Sequence, residues 1–290
     1  MSVTALLARK VGQRAIKLGL AEIRPQYIGE IEFGIGQLPE QEVADAHVAA
    51  CAYEQIRIRQ IADAGRLGEH LLVDVFDGKI AEVGALKVAI LGTDSAVGKR
   101  TTAWLLEDAL VAAGRSCVMV GTGQTAWLQG AKYGIVLDSL ISDFVAGEIE
   151  HAVWSAWDEE RPDVIIVEGQ GSLLNPAYPG GYEILAAARP DIVVLQHAPA
   201  RSEYDGFPGY TMHPLDRQIA ALELISDRPV VAITLNHEEL EPAGIPQICE
   251  QIRVETGLPV FDVLRDGADG LASVVASHIP KVDSTGGSER

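Results

Sequence analysis

The chain has 290 residues, 48% of them hydrophobic, and its 23 Lys and Arg against 41 Asp and Glu give a net charge of −18. That is enough chain for one large globular domain with a smaller appendage. The acidity excludes nonspecific nucleic-acid binding, which needs a cationic surface.

No run of about 18 apolar residues suggests a membrane span. The opening MSVTALLARK lacks the long apolar core and small-residue cleavage site of a signal peptide. Cys51, Cys117 and Cys249 are widely separated and form neither a zinc pattern nor a CxxC pair. A cytoplasmic protein with reduced thiols is expected. The sequence fixes no oligomeric state and is compatible with a homo-oligomer.

Residues 1–84 read as a small N-terminal region, with amphipathic patterns at 3–20 and 41–64 and a Gly34-Ile35-Gly36 turn. Leu71-Leu72-Val73-Asp74-Val75-Phe76 predicts a strand ended by Asp77-Gly78. From 85 to 278 the pattern is regular. Val- and Ile-rich runs at 87–91, 117–120, 164–167, 192–195, 230–235 and 259–263 predict strands, and 99–113, 215–225 and 245–255 predict helices. Apolar strands bounded by helices give an α/β domain with a mostly parallel sheet covered on both faces. Residues 279–290, rich in Ser and Gly, read as a disordered tail.

Ligands of such sheets sit beyond the carboxyl ends of the strands, so the residues directly after each strand matter most. The first strand runs into Gly92-Thr93-Asp94-Ser95-Ala96-Val97-Gly98-Lys99-Arg100-Thr101-Thr102, followed by a helix. Strand, glycine-rich turn, Gly-Lys and helix make a phosphate-binding loop of the P-loop NTPase type, in which backbone N–H groups and the lysine hold anionic oxygens. Five residues rather than four separate Gly92 from Gly98, and Arg100 stands where a magnesium-binding hydroxyl usually follows the lysine. Asp94 either supports a metal or makes a local turn.

The second strand ends in Gly121-Thr122-Gly123-Gln124-Thr125, where Thr122 and Thr125 suit a substrate carboxylate. The third ends in Glu168-Gly169-Gln170-Gly171-Ser172, and the Glu168 carboxylate at this strand tip facing the loop is a candidate catalytic residue and, alongside Asp94, a candidate magnesium ligand. Gln170 and Ser172 are candidate substrate contacts. The fourth and fifth strands lead to His197 and His237, candidate general bases. Arg201 can clamp a carboxylate or phosphate through paired hydrogen bonds, or form a surface ion pair. The stretch 204–210, YDGFPGY, is a lid or a packed crossover.

Gly92-Thr93-Asp94 with Val97-Gly98-Lys99, then Val167-Glu168-Gly169, resembles the loop and carboxylate of dethiobiotin synthetase and related ATP-dependent ligases, and Asn236 resembles their adenine-reading asparagine. A closer resemblance is to a P-loop family long labelled as a domain of unknown function, which includes D-glutamate N-acetyltransferase. It rests on 92–102, Thr122–Thr125, Asp143-Phe144 with Gly147, 168–172, and His197-Ala198-Pro199 with Arg201.

The second resemblance implies acetyl-CoA as cofactor, its phosphates in the loop, and a small acidic amino acid as partner. His197 or His237 would be the base, with Gln124, Gln170 or backbone N–H groups as oxyanion donors. The first implies ATP with Mg2+, held by Asp94 and Glu168, and a ligase or kinase reaction. A nucleotide-binding protein without turnover is the third expectation.

Overall fold

A computed structural model describes residues 73–140 and 142–280. The amphipathic patterns at 3–20 and 41–64, the Gly34–Gly36 turn, Cys51 and the tail from 281 lie outside those residues.

Seven strands build the sheet: β1 (Leu86–Gly92), β2 (Cys117–Gly121), β3 (Tyr133–Gly134), β4 (Val164–Glu168), β5 (Ile192–His197), β6 (Val230–Leu235) and β7 (Val260–Phe261). Their order is β3-β2-β4-β1-β5-β6-β7, with every neighbouring pair parallel. Central strands buried on both faces need apolar residues without alternation, and Leu86–Gly92 and Val164–Glu168 are buried along their whole length. Chain order reverses at β1, which lies between β4 and β5. The crevice beyond their carboxyl ends is the predicted ligand position of such a sheet.

Helices cover both faces. On one, α1 (Lys99–Ala112) and α8 (Asp269–Ala276) pack Leu106, Leu110, Leu271 and Val275 against Val88, Ile90, Ile166 and Val194. On the other, α3 (Ser142–Glu160), α4 (Tyr182–Ala187) and α5 (Leu215–Ser226) pack Ile149, Val153, Ile184 and Leu222 against Val120, Ile165, Val167 and Val193. Each fully buried Ile or Leu here contributes roughly 2–3 kcal/mol of transfer free energy. α6 (Ile245–Thr256) covers β6 and β7, and the short α2 (Gln124–Leu128) and α7 (Val263–Asp266) follow β2 and β7.

The strand expected at Leu71–Phe76 is not formed over its described part, 73–76. The segment lies across α3 instead. The Asp74 amide donates to Glu148 Oε1, and the Asp77, Gly78 and Ile80 amides donate to the fully buried Glu150 carboxylate. Gly147 allows this crossing: a Cβ there would stand 2.0 Å from the Asp74 carbonyl oxygen. A 3-10 turn at Lys79–Glu82 then leads towards β1.

Candidate active site

The loop after β1 closes onto α1 through Gly98, at φ 101°, a left-handed conformation that any other L-residue would adopt only with strain. The extra residue is accommodated by Ala96, also at positive φ (52°). Among the described residues no side chain caps the start of α1, so its first-turn N–H groups and the positive end of its dipole face the loop unsatisfied. That is an anion site by construction. Lys99, 7% exposed, donates to the carbonyls of Asp94 (2.7 Å) and Gly171 (2.9 Å). Burial pulls its pKa down to about 8, against the opposing pull of the Asp94 and Glu168 charges.

On the β5–β6 side of the loop, the polar groups bond to one another. Asp94, with no exposed surface, accepts from the Ser95 amide and Asn175 on one oxygen, and from Arg201 (2.9 Å) and the Asp205 amide on the other. Arg201 also grips Glu238 through Nε and Nη2, and donates to the carbonyls of Ser95 and Ala96. All five of its N–H groups are thereby engaged. Asn236 donates to the Val97 carbonyl at 3.0 Å and accepts from the Glu238 amide. Arg201 and Asn236 thus hold the loop from outside. A metal ion at Asp94 would have to displace Arg201 or another of these donors.

On the β4 side, Glu168 is paired in register with Ile90 of β1 and is 4% exposed. Burial raises its pKa, opposed by the Thr122 amide and by the charges of Arg100 and Lys99. Arg100 approaches it at 4.0 Å. Thr122 ties the group together: its amide donates to Glu168 Oε2, its hydroxyl to the Glu168 carbonyl, and Gln170 Nε2 donates to that hydroxyl at 3.1 Å. Gln124 and Thr125, half-buried, open α2 directly beyond. Ser172 is buried in the following turn, where its Oγ accepts from the Leu174 amide. Beside Ser95, Gln170 and Gly171 opens a cavity of about 550 Å3.

The two histidines fall on different ground. His197 Nδ1 lies 3.1 Å from the Thr93 hydroxyl, and burial lowers its pKa to about 4, so it is neutral at pH 7 and a weak base. His237 Nδ1 meets the buried Asp262 carboxylate at 2.6 Å, at the β7 edge. β6, which leads into His237, is three strand spacings from the Glu168 strand, about 14 Å at ~4.8 Å each. The structure therefore brings Glu168, Thr122, Gln124, Thr125 and Gln170 together and leaves His237 apart. Thr102 is buried and bonds Gln196, whereas Thr101 is exposed.

Four site residues escaped the sequence reading. Asn175 holds Asp94, Glu238 holds Arg201, and Asp262 holds His237. Gln196 accepts hydroxyl donors from Thr102 (2.5 Å) and Thr234 (2.6 Å) on its Oε1, while its carbonyl accepts the Thr93 amide. It thereby fixes the start of the loop and the first turn of α1 to β5 and β6. Only their positions near strand ends marked Gln196, Glu238 and Asp262. Asn175 has no such marker, since it lies in an irregular turn seven residues beyond the end of β4.

With this geometry, the chain can be set beside known proteins. Residues 74–272 match the family model described as a domain of unknown function, the DUF1611 C-terminal P-loop domain. A D-glutamate N-acetyltransferase from Tritonibacter scottomollicae is 33% identical over 193 residues, covering 64% of this chain and 57% of that protein. One from a Pseudoalteromonas species is 32% identical over 194 residues, with the same coverage of 64% and 57%. The chain thus spans little more than half the length of these curated relatives. The crystal structure of a DUF1611 family protein from Anabaena variabilis superposes with a TM-score of 0.67 at 31% identity, over 71% of this chain and 61% of that one. No helix among the described residues is long and apolar enough to cross a membrane. The P-loop, the parallel sheet and the match across most of the chain agree, and the chain belongs to the DUF1611 P-loop family.

Proposed function

We propose that the protein is an N-acyltransferase that moves an acetyl group from acetyl-CoA to a small acidic amino acid such as D-glutamate. The observation that carries this reading is the division of labour at the loop. The α1 N-terminus and Lys99 offer donors to phosphate, while Asp94, the carboxylate that would accompany magnesium, is engaged by Arg201, Asn175 and two amides. A coenzyme's phosphates need the first arrangement without the second. The names of the curated relatives, both D-glutamate N-acetyltransferases, support the same chemistry.

The acceptor's ammonium group first loses one proton to solvent, and the resulting amine nitrogen attacks the thioester carbonyl carbon. The N–C bond forms, the C–S bond breaks, and the electron pair leaves on sulfur. Glu168, its pKa raised by burial, takes the proton from the amine and returns it to the departing thiolate. Gln124 and Gln170 supply amide N–H groups for the oxyanion. Lys99, Gly98 and the first turn of α1 hold the phosphates, with Arg100 as an additional cation.

The test is free-thiol release from acetyl-CoA with a panel of D- and L-acidic amino acids. Lys99→Ala is expected to weaken acetyl-CoA binding by about 100-fold through loss of a buried charge-assisted contact. Absence of thiol release with every acceptor, together with MgATP-dependent phosphate release, would overturn the proposal in favour of an ATP-dependent ligase.

A further inference from the structure

A cavity lies beside the loop, lined in part by Ser95, Gln170 and Gly171. Its volume of about 550 Å3 is that of a small-molecule site. Ser95 from the loop and Gln170 and Gly171 from the turn after β4 form one wall. Leu137, Val145 and Ala146 give it an apolar side. Tyr178 stands at its margin, edge-on to Phe207 with ring centroids 5.8 Å apart. The charged residues lining it are Asp138 and Glu183, and among the described residues no Lys or Arg lines it.

The cations of the neighbourhood lie outside its lining: Lys99 donates to two carbonyls and keeps its third N–H for phosphate, Arg201 holds Asp94 and Glu238, and Arg100 approaches Glu168. Asp138 is exposed, and Glu183 makes only a long, 3.3 Å contact with the Gly181 amide. An anionic group entering here would meet two carboxylates of its own sign, whereas an ammonium group would find its complement.

We infer that this cavity is the acceptor site, and that it takes the acceptor by its ammonium group, held by Asp138 and Glu183 with the carbon chain against Leu137, Val145 and the Tyr178 ring. The inference rests on the acyl-transfer reading for the acceptor's role, while recognition of an ammonium group stands on the cavity itself. The acceptor's amine, rather than its acidic side chain, is what this wall selects.

Calorimetry without any acyl donor tests it. The probes are a panel of D- and L-amino acids, each paired with its deaminated acid: glutamate with glutarate, aspartate with succinate, alanine with propionate. At least one amino acid is expected to bind about tenfold or more tightly than its deaminated partner, the worth of a charge-assisted contact. Glu183→Gln and Asp138→Asn together should remove that preference, with the affinity for acetyl-CoA and the melting temperature unchanged. Equal binding of both members of every pair, no binding by any amino acid, or a preference that survives the double substitution would overturn the inference. Amino-acid binding without thiol release in any assay would instead sink the acyltransferase reading and leave the ammonium site standing.

Discussion

On the β5–β6 flank of the phosphate loop, Asp94, Arg201, Asn236 and Glu238 bond to one another and to the loop's carbonyls. On the β4 flank, Glu168 and Gln170 are tied through Thr122, and a cavity opens beside them. Both flanks gather charged and amide side chains at strand ends. One is a brace whose hydrogen-bonding capacity is used up within the protein. The other keeps a buried carboxylate of raised pKa and room for a ligand. Residue type and position alone do not separate the two; the state of each donor and acceptor does.

The comparison is open to four tests, taken in order of expected effect. Arg201→Met should be the most damaging, because it strands the buried Asp94 charge; breaking such a pair costs about 3–5 kcal/mol and should show as a large loss in denaturant midpoint. Adding Asp94→Asn should recover much of that loss, since no unpaired charge remains. If Arg201→Met melts like the parent but loses acceptor binding, the brace is a binding group after all.

Glu168→Gln comes next. It should lower kcat by about 100-fold or more, the usual range for a lost general base, while stability changes little. A third test uses pH. Lys99, with its pKa near 8, is neutral above that value and attracts phosphate poorly. Acetyl-CoA affinity should be steady below pH 8 and fall above it by up to about tenfold per unit. Lys99→Arg, charged throughout, should flatten that fall. The smallest effect is assigned to His237→Ala, which should change kcat by less than about twofold, since a group outside the reacting atoms gives no transition-state stabilisation. A loss as large as that of Glu168→Gln would move the chemistry to the opposite flank.

Much of this was legible from sequence. The strand at 230–235 and the start of the helix at Lys99 fall where the Val/Ile runs and the Gly-Lys signal put them, because a strand buried on both faces writes itself as an unbroken apolar run. The last strand, expected over 259–263, shrinks to Val260–Phe261, since Asp262 turns to cap α7. α3, the longest described helix, left no clear apolar period. Its buried face includes Glu148, Glu150 and Ser155, and charge inside a helix face disguises the 3.6-residue repeat. In the site, the loop and Glu168 stood out because their chemistry is local. The brace did not, because Asp94 meets Asn175, Arg201 and Asp205 across sequence separations of 81 to 111 residues, and only once the chain has folded.

The buried Glu150 carboxylate has a practical consequence for anyone who wishes to excise this domain. Its three amide donors come from Asp77, Gly78 and Ile80, ahead of the first strand. A fragment begun at Val83 would keep every strand and helix of the sheet yet lose all three donors and the segment that lies over Glu150. Such a fragment is expected to be insoluble or to unfold at low temperature. One begun at Val73, a single residue before the family match starts, retains all three donors and the crossing over Gly147. Among the described residues, the stretch ahead of β1 is thus held to the domain by one glutamate in α3.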